Sequence, residues 1–174
     1  MTVFTRMCTS LDGFVTTPEG MPVQLAFDRW DAGALGFYEL QRRCAAVLMG
    51  RITFEPALGA PHWPWDDITV FVLGSRRPEG TPDRVVIDSD PVRLLERMRA
   101  ETGDGDVHLI GGPSTIETVR SLGALDELRM LVLPILTGEG RRLTPELALG
   151  NGLELQDVRS WPADVVELRY SVRR

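Results

Sequence analysis

Two cysteines in 174 residues are too few for a disulfide framework. Cys8 and Cys44 fall in stretches expected to be core and lack metal-ligand spacing, so they read as buried thiols of a protein kept reduced in the cytoplasm. There is no excess of positive charge: the net charge is -6, the isoelectric point is near 5.0, and the arginines are scattered, which argues against a nucleic-acid partner. No apolar run reaches membrane-spanning length, and the chain opens directly into the strand pattern Val3 to Met7, so neither an export signal nor a membrane partner is expected. The two histidines are far apart, His62 in the Pro61-His62-Trp63-Pro64-Trp65 loop and His108 on a core strand. No Ser/His/Asp, Cys/His or H-E-x-x-H arrangement is present, so hydrolysis and metal chemistry have little support and no metal site is expected.

With 43% hydrophobic and 25% charged residues the composition is that of an ordinary globular protein, and the length suits one domain spanning residues 1–174, without repeat or linker. Short apolar runs bounded by turn residues recur throughout. Strands are expected at Val3 to Thr9, Ala45 to Met49, Ile68 to Leu73, Arg84 to Ile87 and Val107 to Ile110. The second and third of these hardly alternate with polar residues, as in central strands covered on both faces.

Helices are expected from Pro91, with Ser89-Asp90 as cap, Val92, Leu95 and Met98 on one face and Gly103 beyond the end, from Pro113 to Leu122 with Gly123 as stop, and from Asp31 towards Arg43 despite Gly33 and Gly36. Beyond Asp126 the rhythm changes. A strand at Leu128 to Leu133 precedes a glycine-rich loop from Pro134 to Arg142, and Leu153 to Val158 and Val165 to Val172 read as an antiparallel hairpin. The chain is therefore α/β, with a mixed, mostly parallel central sheet and an antiparallel C-terminal hairpin.

Three turns follow buried strands, and each could receive an anion. Gly111-Gly112-Pro113 lies between a strand and a helix, where unpaired N–H groups and the positive end of the helix dipole point outward, and consecutive glycines admit close approach of a phosphate. The alternative there is a tight turn without a ligand. The Rossmann fingerprint G-x-G-x-x-G is missing, so a dinucleotide would be held in another way. Gly50-Arg51-Ile52-Thr53-Phe54-Glu55 puts an arginine in the first turn of a helix, which makes electrostatic sense with an anion beside it; pairing of Arg51 with Glu55 or Asp67 is the alternative. Ser75-Arg76-Arg77 could bind a further phosphate, such as the 2′-phosphate of NADPH, or form a solvated basic turn. Their shared position beyond strand C-termini, where open α/β sheets bind ligands, lifts all three. Asp12, in Ser10-Leu11-Asp12-Gly13-Phe14, is the best-placed carboxylate, with a turn-forming role as its alternative; helix capping explains Asp28 and Asp31 adequately, with facing the substrate as the alternative for either.

At these residues the sequence resembles the dihydrofolate-reductase-like superfamily, specifically the riboflavin-biosynthesis reductase C-terminal domain family and its stand-alone members. The resemblance rests on Ser10-Leu11-Asp12-Gly13, Leu48 to Glu55, Ile110-Gly111-Gly112-Pro113, Asp126-Glu127-Leu128 and Pro134-Ile135-Leu136-Thr137-Gly138-Glu139-Gly140, and covers nearly the whole chain. It implies a three-layer αβα fold, NADPH as cofactor, a small-molecule substrate and a homodimer. It also implies that Gly50, Arg51 and Thr53 hold cofactor phosphates, that Ser75 and Arg76 lie near the 2′-phosphate, and that Gly111, Gly112, Pro113, Ser114 and Thr115 wrap the pyrophosphate across a cis Gly111-Gly112 peptide. Asp12 matches the family's aspartate near the nicotinamide, and Phe14, Met21, Trp30, Trp63 and Trp65 are candidates to line the substrate crevice; core or interface packing is the alternative for such aromatics. The activity implied is hydride transfer to a C=N or C=O bond of a pterin- or aminopyrimidine-like heterocycle. The alternatives are an NADP-binding module without turnover and dihydrofolate reductase proper. Arg51 to Gly59 resembles the dihydrofolate-reductase style rather than the aspartate-proline signature of the riboflavin pathway.

Overall fold

The computed structural model describes residues 1–143 and 152–173. Its strands are β1 (Val3–Ser10), β2 (Ala46–Gly50), β3 (Thr69–Leu73), β4 (Val85–Asp88), β5 (Val107–Gly111), β6 (Glu127–Leu133), β7 (Leu153–Trp161) and β8 (Val165–Val172). The helices are α1 (Phe37–Arg43), α2 (Arg51–Ala57), α3 (Pro91–Thr102) and α4 (Pro113–Ser121). The strands form one mixed sheet of eight in the order β4-β3-β2-β5-β1-β6-β8-β7. By contact density the chain divides into two compact units, Met1–Thr5 with Arg43–Leu125, and Arg6–Arg42 with Asp126–Arg174. Neither unit is a continuous stretch, which is why the sequence shows no linker.

In the first unit β2 pairs in parallel with both β3 and β5, and β3 with β4. All five residues of β2 are buried, as an apolar strand without alternation requires. Val47 and Met49 face Phe54 of α2 together with Val70, Val72 and Trp65. The intervening Leu48 borders a small crevice with Leu94 and Leu95 of α3 and Val119 of α4. Helices therefore cover both sides of these strands, giving three layers. Asp90 caps α3 by accepting from the N–H groups of Val92 at 2.9 Å and Arg93 at 3.3 Å, Pro91 follows, and Gly103 ends it at φ 54°. The buried face of α3 is Leu94, Leu95 and Met98; Val92, expected on that face, is exposed. His108 stacks on Phe4 with ring centroids 5.1 Å apart.

In the second unit β6, β8 and β7 are antiparallel, and one of their faces packs Leu131, Leu133 and Val165 against Cys8, Val23, Phe27 and Leu35. Neither cysteine is in a disulfide, and both are buried. Burial pushes the Cys8 thiol up to about 12, although the Arg6 cation opposes this, so it stays protonated. The helix expected from Asp31 begins only at Phe37. Asp31 instead accepts the N–H of Ala34 at 2.9 Å and Gly36 takes φ 72°, so turns occupy Asp31 to Gly36; a β-carbon at position 36 would stand 2.8 Å from the Trp161 ring. Strand β7 also runs three residues past the expected Val158, to Trp161, and the hairpin closes through a 3-10 turn, Pro162–Asp164.

A buried ion pair crosses this unit. Arg6 Nε donates to Glu167 Oε1 at 2.7 Å, and the guanidinium lies 4.4 Å from the Phe37 ring centroid and 5.1 Å from that of Trp161. Trp161 Nε1 donates to the second carboxylate oxygen, Oε2, at 2.7 Å. Burial would raise the Glu167 carboxyl, but these partners hold it below its ordinary value.

Candidate active site

The pairing of β2 with β5 places Gly50 and Gly111-Gly112 at the same strand ends. A β-carbon at position 50 would stand 2.3 Å from Thr115 Oγ1 and 3.8 Å from the Gly112 nitrogen; one at position 112 would stand 3.6 Å from Thr53 Oγ1. Gly50, Thr53, Gly112 and Thr115 thus lie around one small space, which a side chain at position 50 would fill. The Gly111-Gly112 peptide is cis, Gly111 takes φ 148°, and Gly112 is the N-cap of α4, with Pro113 in its first turn, Ser114 exposed and no side chain capping the helix. Pro113 has no N–H and those of Thr115 and Ile116 donate to Gly112 O at 3.0 and 3.1 Å, so the Ser114 N–H is the leading amide of α4 that an outside acceptor could take.

Strand β3 runs on the other side of β2, with Leu73 opposite Gly50. The segment Gly74-Ser75-Arg76 therefore leaves the sheet beside α2, where a β-carbon at Gly74 would lie 3.4 Å from Arg51 Cβ. Arg51 NH1 donates to Glu55 Oε2 at 2.8 Å and Arg76 NH2 to Glu55 Oε1 at 3.1 Å. The Arg76 hydrogen bond, with help from Arg51, lowers the Glu55 pKa. Of the two roles open to Arg51 from sequence, pairing with Glu55 is the one observed, and Arg76 joins it. A single carboxylate bridging two guanidinium groups marks where a phosphate would find charge and donors.

Asp12 belongs to the second unit. Its Oδ2 accepts the backbone N–H of Gly138 at 2.8 Å and Oδ1 that of Thr137 at 3.3 Å. The Ser10 hydroxyl, then these amides, lower its pKa and keep it an anion at neutral pH. The Ser10-to-Gly13 and Pro134-to-Gly140 blocks, distant in sequence, form one substructure: Leu11 N–H donates to Ile135 O at 2.8 Å, Val15 N–H to Arg141 O at 2.8 Å, and Arg141 N–H to Thr16 Oγ1 at 2.8 Å. Both Asp12 oxygens are thus engaged by amides of a distant loop, a structural role other than the local turn expected from sequence.

Among the aromatic candidates, Phe14 carries the Arg142 guanidinium 4.5 Å from its ring centroid, and Met21 is exposed. Trp30 packs edge-on against Phe37, and Trp63 against Phe54 and Trp65, so these rings are committed to cores. Sequence reading missed Arg142 and Thr137, because their partners lie 125 or more positions away. It also missed Arg6, whose place in a strand marked it only as polar.

A model of the RibD C-terminal domain matches residues 1–166. The chain belongs to the RibD C-terminal domain family. Among related sequences, the uncharacterized YwjB protein of Bacillus subtilis is 25% identical over 167 residues, covering 94% of each chain, and YyaP of the same organism is 24% identical over 178 residues, covering 94% of this chain and 91% of its own. A solved structure from Shewanella sp. PV-4, provisionally assigned to riboflavin biosynthesis, superposes with TM-score 0.82 at 25% identity over 100% of both chains. Dihydrofolate reductase of Enterococcus faecalis, solved with NADP(H), superposes with TM-score 0.68 at 18% identity, covering 99% of this chain and 97% of its own. The fold is thus the dihydrofolate-reductase-like αβα architecture. In the described residues no helix is long and apolar enough to cross a membrane.

Proposed function

We propose that this RibD C-terminal domain protein is an NADPH-dependent reductase that delivers hydride to a C=N or C=O bond of a small heterocycle of the pterin or aminopyrimidine kind. The observation that carries this reading is the convergence of Gly50, Thr53, Gly112 and Thr115 at two adjacent strand ends, with Arg51 and Arg76 meeting on one carboxylate beside them. The donor set suits the group: backbone amides and hydroxyls for the pyrophosphate, guanidinium groups for a further phosphate. Gly50, Gly111, Gly112, Pro113, Ser114 and Thr115 would surround the pyrophosphate, Thr53 and Arg51 would hold phosphate oxygens, and Ser75 and Arg76 would take the 2′-phosphate. Bound NADPH supplies the hydride; the protein supplies position and electrostatics.

On the substrate side the candidates are Asp12, Phe14 and Met21. Asp12, held ionised, accepts hydrogen bonds and orients a substrate N–H; it is not the proton donor, so the proton that accompanies hydride is taken from solvent. Trp30 and Trp63 are each packed in the core of their own unit and are not assigned to the substrate. The buried Cys8 and Cys44, neither in a disulfide, suit work in a reducing cytoplasm.

The occupation of both Asp12 oxygens by loop amides favours, as a second reading, a module that binds the dinucleotide without turnover. Dihydrofolate reductase proper has less support, because Asp28 and Asp31 precede α1 and Asp31 is spent on the Ala34 turn. The test is loss of NADPH absorbance across a panel of pterins, aminopyrimidines and quinones. Oxidation with a pterin or aminopyrimidine is expected; tight NADPH binding with no oxidation across the panel selects the second reading.

A further inference from the structure

Hydride addition to a C=O or C=N bond forms a C–H bond and moves the π electron pair onto the heteroatom, which carries negative charge until it takes a proton. A site that speeds this step presents a cation to that atom. Asp12 has the opposite sign: it is held as an anion, and both its oxygens are engaged by loop amides. The same substructure fixes a guanidinium, that of Arg142.

Three consecutive residues hold it. The Arg142 guanidinium lies 4.5 Å from the Phe14 ring centroid, NH1 donates to the Asp12 backbone carbonyl at 3.3 Å, and a β-carbon at Gly13 would stand 2.8 Å from NH1. Gly13 takes φ 90°, so both its conformation and its lack of a side chain suit glycine there. The backbone just ahead is pinned as well, by Val15 N–H to Arg141 O and Arg141 N–H to Thr16 Oγ1, each at 2.8 Å. An exposed arginine tied in this way has given up rotamer freedom before any ligand arrives.

Its charge has no partner. Arg6, Arg51, Arg76, Arg129 and Arg169 each meet a carboxylate, whereas Arg142 forms no ion pair among the described residues. NH1 is used on the Asp12 carbonyl and one face of the plane on Phe14, which leaves the other donors of the fork to solvent or ligand. Because Arg142 is bonded to the main chain of Asp12 itself, its donors lie within reach of the same small ring that Asp12 would orient.

We propose that Arg142 binds the ring oxygen or nitrogen of the heterocycle on which negative charge develops, and stabilises that charge until solvent supplies the proton. The chemistry rests on the reductase reading; the binding does not. The ligand class is a planar heterocycle with an oxo or imino acceptor. A phosphate or carboxylate on a side arm of the substrate is the competing occupant.

Barbiturate, a pyrimidine whose ring oxygens share a negative charge at neutral pH, mimics the charged atom, and uracil is its neutral counterpart. By calorimetry on the full chain, barbiturate should bind roughly tenfold tighter than uracil; Arg142→Gln should abolish the preference, Arg142→Lys keep part of it and Arg141→Gln all of it. In the unmodified protein, phenylglyoxal modification of Arg142, mapped by mass spectrometry, should be slowed by barbiturate and not by uracil, a readout that needs no variant to fold. NADPH affinity should be the same in Arg142→Gln and wild type. With a substrate that the wild type reduces, Arg142→Gln should lower kcat roughly tenfold and change KM little. The proposal is overturned by a wild type without the barbiturate preference, by a preference that survives Arg142→Gln, by inorganic phosphate binding tighter than barbiturate through Arg142, by weakened NADPH in Arg142→Gln, or by a raised KM with kcat intact. Absence of oxidation across the whole panel removes the reductase reading and the catalytic step with it, while the barbiturate and phenylglyoxal results decide the binding site in either case.

Discussion

The carboxylate of Asp12 holds the backbone N–H of Gly138 at 2.8 Å across 126 positions of sequence. This contact, with that to Thr137, fastens the Pro134-to-Gly140 loop to the end of β1. Asp12→Asn should therefore loosen the loop and raise its amide exchange rates. The carboxyl is held below its unfolded value of about 3.9, so its contribution is fully present above that value and is lost as pH falls through the lower, folded one. Urea midpoints of wild type and Asp12→Asn should differ at pH 6 and converge in strong acid; an equal difference at every pH contradicts the assignment.

At the strand ends, Gly50→Ala puts a methyl group 2.3 Å from where Thr115 Oγ1 now sits. Overpacking of this kind costs about 1–3 kcal/mol. Removing the hydroxyl in Gly50→Ala/Thr115→Ala should recover much of the loss in denaturant unfolding, since the Thr115 β-carbon stands at 3.5 Å. Additive losses would show that the two positions do not meet.

Arg6 and Glu167 form a pair whose side chains are 3% and 13% exposed. Arg6→Leu leaves the carboxylate without its cation and should cost roughly 3–5 kcal/mol, whereas Arg6→Leu with Glu167→Gln should cost less than that single change. A double-mutant cycle by urea unfolding measures the coupling. If the double variant is less stable than Arg6→Leu alone, Glu167 owes its place to something other than Arg6.

Glu55 occupies the two guanidinium groups that the proposed function assigns to cofactor phosphates. A bound phosphate must displace or repel it. Glu55→Gln should therefore tighten NADPH by several-fold and NADH by less, as read by equilibrium titration; unchanged or weaker NADPH binding would make Glu55 an organiser of the arginines instead.

Much of this architecture is legible in sequence because it is local. Uninterrupted apolar runs mark β2 and β3, Asp90-Pro91 and Gly103 mark α3, and the glycine pair sits where strand turns to helix. The gathering of Gly50, Gly112 and Thr115 follows from parallel pairing of β2 with β5. What sequence conceals is non-local. Asp12 looks like a turn residue until Gly138 arrives, and Arg6 looks like the polar member of an alternating strand until Glu167, Phe37 and Trp161 enclose it. Trp63 and Trp65 suggest a substrate wall, yet they spend their area on each other and on Phe54. The glycines before Phe37 weigh more than the periodicity around them, so α1 is half its expected length.

Parallel titrations with NADPH and NADH by intrinsic fluorescence, on wild type and Arg76→Ala, bear most directly on the proposed function. Wild type should bind NADPH more tightly than NADH, and Arg76→Ala should weaken NADPH roughly tenfold, about 1.4 kcal/mol, with little effect on NADH. NADPH binding that both Arg76→Ala and Arg51→Ala leave intact, or no preference for NADPH in the wild type, would contradict it.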